Sequence, residues 1–193
     1  MNDDARELLL PLTETDVRSM RVGDSAVLSG RLFTGRDAIH KYLAAGNPPP
    51  CNLTDAVLYH CGPVVTPAGD GWSITAAGPT TSVREEPYMA DLIRKFHLRG
   101  IIGKGGMGAR TLQACQDCGC MYMHAVGGAA QVLAECITRV AGVYLEDHFG
   151  SPEALWELEV SKFPVIVTMD AYGKSLHADV ESKSHEQLEQ LLT

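Results

Sequence analysis

Apolar and polar positions follow two periods along this chain, and the switches between them mark out its elements. Residues 25–34 carry apolar side chains at strand spacing, and residues 36–45 shift to a short helical run stopped by Gly46. Asn47-Pro48-Pro49-Pro50 predicts an extended loop, because proline donates no amide to a ladder. Residues 56–59 and 73–77 read as short strands around the turn-rich Pro67-Ala68-Gly69-Asp70-Gly71, a spacing that predicts a hairpin. From Glu85 the period becomes helical, with Pro87 in the first turn, Met89, Leu92, Ile93 and Phe96 on one side, and Gly100 as the stop. Ile101-Ile102 opens a buried strand, a glycine-rich loop follows, and a helix over 111–117 leads into a strand over 121–125. Gly127-Gly128 precedes a helix through Cys136, and residues 140–145, 155–160 and 165–169 read as three further strands. Residues 184–192 are polar enough to form only a marginal surface helix. Strands dominate both ends and alternate with helices between them, which predicts an α/β fold with mixed sheets. With no repeat, low-complexity tract or long linker, residues 1–193 read as a single domain.

Composition narrows the partners. A 193-residue chain that is 45% hydrophobic can bury a real core. Sixteen basic and twenty-four acidic residues give a formal charge of −8, and no dense Lys/Arg run offers the grip that nucleic acid requires. The opening MNDDARELLLPLTETD has neither the basic flank of a signal peptide nor the length of a membrane span, so a cytoplasmic protein without a membrane partner is expected. Six cysteines are too sparse for a disulfide framework. Cys115-Gln-Asp-Cys118-Gly-Cys120 has the spacing of a metal box, yet Cys115 falls at a helix end and Cys120 opens an apolar run. The three side chains are therefore expected to point apart, as structural thiols.

Three glycine-flanked segments carry the candidate chemistry, each where a strand hands over to a helix: Thr34-Gly35-Arg36-Asp37-Ala38-Ile39-His40-Lys41, Ala77-Gly78-Pro79-Thr80-Thr81-Ser82-Val83-Arg84 and Gly103-Lys104-Gly105-Gly106-Met107-Gly108. Lys104 among glycine amides at a helix start suggests an anion nest. It is not a Walker A motif, because Gly105 stands where Ser or Thr would hold magnesium, and the spacing is not that of a dinucleotide fingerprint. A small carboxylate remains as ligand, against the plainer reading of a tight turn with a solvated lysine. Arg36 and His40 lie one turn apart and can face one cleft, although such residues are more often a surface cation and a half-buried imidazole. Thr80 and Thr81 follow a rigid proline turn, and Arg84 can fork onto a carboxylate; the alternative is that a threonine only caps the next helix.

Gly-Pro-Thr-Thr-x-x-Arg at Gly78 to Arg84, Lys-Gly-Gly-Met-Gly at Lys104 to Gly108, Gly-Arg-Asp-x-x-His at Gly35 to His40 and the Cys61-Gly62-Pro63 approach together resemble the C-terminal domain of class I fumarases. They equally resemble the β subunit of L-tartrate dehydratase, and the match runs in order over residues 22–179. The resemblance implies a swivelling β/β/α domain closing over a 4Fe–4S cluster. Cysteines of another domain or subunit bind that cluster, and no metal binds this chain alone. It implies proton transfer by Thr80, dicarboxylate binding by Arg36, Arg84 and Lys104, and His40 as a further active-site residue. The expected partner is a cluster-bearing α subunit in a hetero-oligomer, with a homodimer as the isolated state. The implied reaction is reversible hydration of fumarate to L-malate; the alternatives are tartrate dehydration to oxaloacetate and a non-catalytic anion-binding module. Such chemistry needs a base, a Lewis acid and cations for developing carboxylate charge, of which this chain supplies cations and a hydroxyl.

Overall fold

The computed structural model describes residues 5–69 and 71–192. Residues 1–4 of the acidic opening and Asp70 of the expected turn lie outside the described residues. Strand β1 (Arg6–Leu9) leads to helix α1 (Glu14–Arg18), whose start is fixed by a capping box: Thr13 Oγ1 accepts from Asp16 N at 3.1 Å and Asp16 Oδ2 accepts from Thr13 N at 2.9 Å. Strand β2 (Ser25–Thr34) and helix α2 (Asp37–Ala44) follow, then β3 (Val57–Tyr59) and the pair β4 (Val64–Ala68) and β5 (Gly71–Ala76). A 3₁₀ turn (Ser82–Glu85) runs into α3 (Glu86–Phe96), β6 (Gly100–Gly103), α4 (Ala109–Cys118), β7 (Met121–His124) and α5 (Ala130–Glu135). Strand β8 (Ile137–Tyr144), the short α6 (Glu146–Phe149), a 3₁₀ turn (Ser151–Glu153), β9 (Leu155–Met169) and α7 (Leu176–Leu192) complete the chain.

The mixed sheet has seven strands in the order β1-β2-β3-β6-β7-β9-β8, with β9 also pairing antiparallel to β2. Strands β2, β3, β6 and β7 are parallel neighbours, and β9 pairs antiparallel with both β7 and β2, so the ladders close into a ring. Side chains alternate between its two faces. Leu28, Leu32, Val57, Tyr59, Ile102, Met121, Met123, Phe163 and Val167 share one buried cluster with Trp156. Phe33, Leu58, Ile101 and Tyr122 point the other way and are covered by Ile39 and Leu43 of α2, Met89 and Ile93 of α3, and Ala114 and Cys115 of α4. Each large aliphatic side chain removed from water in this way contributes about 1.5–3 kcal/mol.

The expected α/β class with mixed sheets is the one observed; several elements differ in detail. The hairpin is β4–β5, a separate two-stranded sheet, while residues 57–59 belong to the large sheet. The strands expected at 155–160 and 165–169 are one strand, β9. The polar Ser161-Lys162 between them is a bulge: Lys162 takes a φ of 53° and its amide donates to Ser29 Oγ at 3.0 Å. Strand β1 buries only Leu8, too little to leave a period in the sequence. No helix among the described residues is long and apolar enough to cross a membrane.

Candidate active site

The parallel strands β2, β3 and β6 end side by side, and the glycine-flanked segments leave from those ends, the loop positions from which parallel α/β strands present ligand-binding groups. Gly35 and Arg36 follow β2, His60 follows β3, and Lys104 follows β6. The Gly78–Arg84 stretch is laid across them. Thr80 N and Thr80 Oγ1 both donate to His60 O, at 2.7 and 3.1 Å, Lys104 N donates to Thr80 O at 3.2 Å, and Ser82 N donates to Lys104 O at 3.0 Å. Arg84 pairs with Asp37 at the start of α2. Arg36 lies on Gly62, where a Cβ would stand 2.8 Å from its Cδ. These contacts bind the segments of Arg36, Thr80, Arg84 and Lys104 into one strand edge.

The side chains differ in how firmly they are held. Arg36 is half-buried, and its Nε sits 3.2 Å from Glu153 Oε1. Arg84 is 56% exposed and its Asp37 partner 39%, a pair open to exchange with another anion. Lys104 pairs with no carboxylate among the described residues. Thr80 caps nothing: its hydroxyl hydrogen goes to a carbonyl, and Thr81, which starts the 3₁₀ turn, makes no side-chain cap either. The helix-cap alternative for these threonines is thereby removed.

The anion nest expected beside Lys104 already holds an anion of the chain itself. Glu86 accepts from Gly108 N at 2.8 Å, Thr111 N at 3.2 Å and Thr111 Oγ1 at 2.7 Å, which satisfies the start of α4. The amides of Gly108 and Thr111 are therefore not open to a further anion.

Behind this edge lies a cluster of titratable groups that sequence reasoning missed apart from His40. His40 is fully buried and stands behind Arg36, its Nδ1 donating to Arg36 O at 2.7 Å. Its ring meets that of His60 edge-on at 5.0 Å, and its Nδ1 is 3.5 Å from Glu85 Oε2. Burial pushes His40 down from 6.5 to about 4 and His60 well below 6.5. Burial, followed by the hydrogen bond and charge of Asp37, pushes Glu85 up from 4.5 to about 8. At neutral pH the His40–Glu85 contact thus joins two uncharged groups and is not an ion pair. His40 Nε2, His60 Nε2 and Glu85 Oε2 have no hydrogen-bond partner among the described residues. Ser82 links the cluster to the core, 2.8 Å from His60 Nδ1 and accepting from Tyr122 OH at 2.8 Å. Glu85 carries no signal in the sequence, since an acid before a helix is ordinary; His60 closes an apolar strand and reads as core.

The cysteines do not fit a cluster. All six are free thiols, and Cys61, Cys115 and Cys120 are buried. Cys115 and Cys120 lie in the same buried cluster, where Cys120 N donates to Cys115 O at 3.0 Å and Cys120 Sγ to Met121 O at 3.8 Å. Burial holds Cys61 up at about 12 and raises Cys118 and Cys120, so these thiols are protonated at neutral pH. No group of three or more His, Cys, Asp or Glu among the described residues is arranged to hold a metal ion. A groove of about 810 Å³ lies elsewhere, lined in part by Arg31, Cys51, Tyr144 and Glu157.

Residues 2–180 match the family described as fumarase C-terminus. A protein of Geobacillus stearothermophilus, provisionally named fumarate hydratase class I, is 50% identical over 184 residues, 95% of this chain and 35% of that protein. The chain thus spans about a third of that relative. A protein of Methanocaldococcus jannaschii provisionally named L(+)-tartrate dehydratase subunit beta is 39% identical over 186 residues, 94% of this chain and 95% of that protein. The L(+)-tartrate dehydratase subunit beta of Escherichia coli (strain K12) is 34% identical over 174 residues, 89% of this chain and 86% of that protein. Both names denote hydro-lyases.

Proposed function

The chain belongs to the fumarase C-terminus family, and from that premise we propose that it is the β subunit of a class I fumarate hydratase, gripping the dicarboxylate while a partner α subunit carries the 4Fe–4S cluster. The observation that carries the reading is the single strand edge whose contacts join the segments of Arg36, Thr80, Arg84 and Lys104, three cations and a hydroxyl. Dehydration of a 2-hydroxy dicarboxylate removes a weakly acidic C–H proton and expels hydroxide. Arg36, Arg84 and Lys104 bind the carboxylates and stabilise the charge that develops beside the carbon losing its proton. The cluster, when the partner brings it, would supply the Lewis acidity that the arginines, lysine and hydroxyl of this edge do not.

Thr80 is assigned to proton transfer. The His60 carbonyl holds its hydrogen and leaves the Oγ1 lone pairs to face a ligand. A neutral hydroxyl is a weak base, so the group that activates it is assigned to the partner. His40 supports the site from behind through the Arg36 carbonyl.

Tartrate dehydration is the second reading, favoured by the two β-subunit relatives that this chain covers at 95% and 86% of their length. The 50% identity to the fumarate hydratase sets it second. The test is anaerobic co-expression with the cluster-bearing chain encoded beside it, followed by assays with L-malate and L-tartrate. Malate turnover by the complex supports the proposal, tartrate turnover alone replaces it with the second reading, and no turnover of either overturns both.

A further inference from the structure

Glu153 reaches α2 from a turn more than a hundred residues later in the chain and touches it twice. Its Oε1 is 3.2 Å from Arg36 Nε, and its Oε2 accepts from Ala38 N at 3.0 Å. One carboxylate therefore spans the arginine side chain and a first-turn amide of the helix that bears it. On the other side Arg36 lies flat on Gly62. A Cβ there would stand 2.8 Å from Arg36 Cδ, 2.9 Å from Arg36 Nη1 and 2.5 Å from Pro152 O, so only glycine leaves the guanidinium this place. His40 fixes the backbone from below by donating to Arg36 O at 2.7 Å.

The hold is unlike that on Arg84. The Arg36 and Glu153 side chains are 25% and 24% exposed, whereas Arg84 and Asp37 are 56% and 39% exposed. A guanidinium offers a carboxylate two forks, one through Nε and one Nη, the other through both Nη atoms. With the Glu153 carboxylate standing 3.2 Å from Nε, the fork left for a ligand is the end-on pair Nη1 and Nη2.

We propose that Glu153 is a positioning residue that holds Arg36 by Nε against Gly62, presenting its end-on fork to one carboxylate of the substrate. This rests on the reading of Arg36 as a substrate ligand. Arginine loses much side-chain freedom when it binds, and an arginine ordered beforehand loses less of it at the moment of binding. Misplacing the fork also misplaces the reacting carbon relative to the groups that act on it.

The test uses the assembled enzyme with Glu153→Gln, Arg36→Ala and the double variant. Gln keeps an oxygen for the Ala38 amide, so the helix start survives while the charge on Arg36 Nε is lost. Glu153→Gln is expected to raise KM about tenfold, the scale of one partly buried charge pair, with a smaller fall in kcat. In the Arg36→Ala background the same change should leave KM where Arg36→Ala alone put it, because the two act as one unit. A wild-type KM for Glu153→Gln beside a raised KM for Arg36→Ala overturns the positioning role alone. An equal further rise in the Arg36→Ala background overturns it too, showing that Glu153 acts only through the fold. An unchanged KM for Arg36→Ala overturns the assignment of Arg36 itself.

Discussion

Replacing Glu85 by Gln should abolish a loss of stability that the folded protein suffers on the alkaline side of neutrality. Glu85 is 2% exposed, beside His40 and facing Asp37, Arg84 and Glu153. Its carboxyl is pushed up from 4.5 to about 8, so between those values the unfolded chain has released a proton that the fold retains. The fold then binds more protons than the unfolded chain, and stability falls as pH rises. His40, pushed down from 6.5 to about 4, acts in the opposite sense: between those values the unfolded chain binds the proton, and stability rises with pH up to about 6.5. His60, pushed down by its burial and by His40, acts with it on the acid side. The optimum is therefore expected near pH 6.5. Above it the histidines are neutral in both states and Glu85 acts alone, at about 1.4 kcal/mol per pH unit. From about pH 6.5 to about pH 8 that amounts to about 2 kcal/mol, a large share of a typical domain's stability. Buried thiols such as Cys61, pushed up from 9.0 to about 12, enter only when the unfolded chain titrates near 9.0. Urea unfolding at the two pH values, followed by fluorescence of the buried Trp156, measures the difference in wild type and in Glu85→Gln. Equal stability of the wild type at both pH values, or the same fall in Glu85→Gln, would refute the reasoning.

Three further outcomes are expected. In the assembled enzyme Arg84→Ala should chiefly raise KM, while Thr80→Ala should lower kcat about a hundredfold or more; a fully active Thr80→Ala enzyme removes Thr80 from the chemistry. Gly103→Ala would set a Cβ 1.9 Å from Ser82 Oγ and 3.0 Å from Tyr122 OH, and should cost about 1–3 kcal/mol in urea unfolding, an effect whose absence would mean that the Ser82–Tyr122 bond is not fixed. Anaerobic incubation of the isolated chain with iron and sulfide should leave it colourless and without bound cluster by iron analysis, and a stoichiometric visible chromophore would place the metal on this chain instead.

The sequence made the strand edge legible because local pattern determines it: β2 falls on residues 25–34 as its alternation predicts, and glycines mark the exits of Arg36 and Lys104. Pro87 and the Met89-Leu92-Ile93-Phe96 stripe likewise located α3. What stayed hidden depends on distant pairs. Glu153 meets Arg36 across more than a hundred residues, Glu86 meets Gly108 across a helix and a strand, and Glu85 matters only because the fold buries it. Strand β9 looked divided because a bulge interrupts its period, a defect that pairing with β2 accommodates.

The ring closed by β9 carries a consequence for synthesis of the chain. The β2–β9 ladder pairs residues 25–33 with 157–166, contacts of very long sequence separation, which form slowly because the loop between them must first be gathered. As the chain leaves the ribosome, β2, β3, β6 and β7 can assemble with β2 and β7 each offering an unpaired edge. Both edges wait for the same strand. Until β9 emerges they are templates for pairing with another nascent chain, so the interval between synthesis of β7 and of β9 is when this protein most depends on chaperone cover.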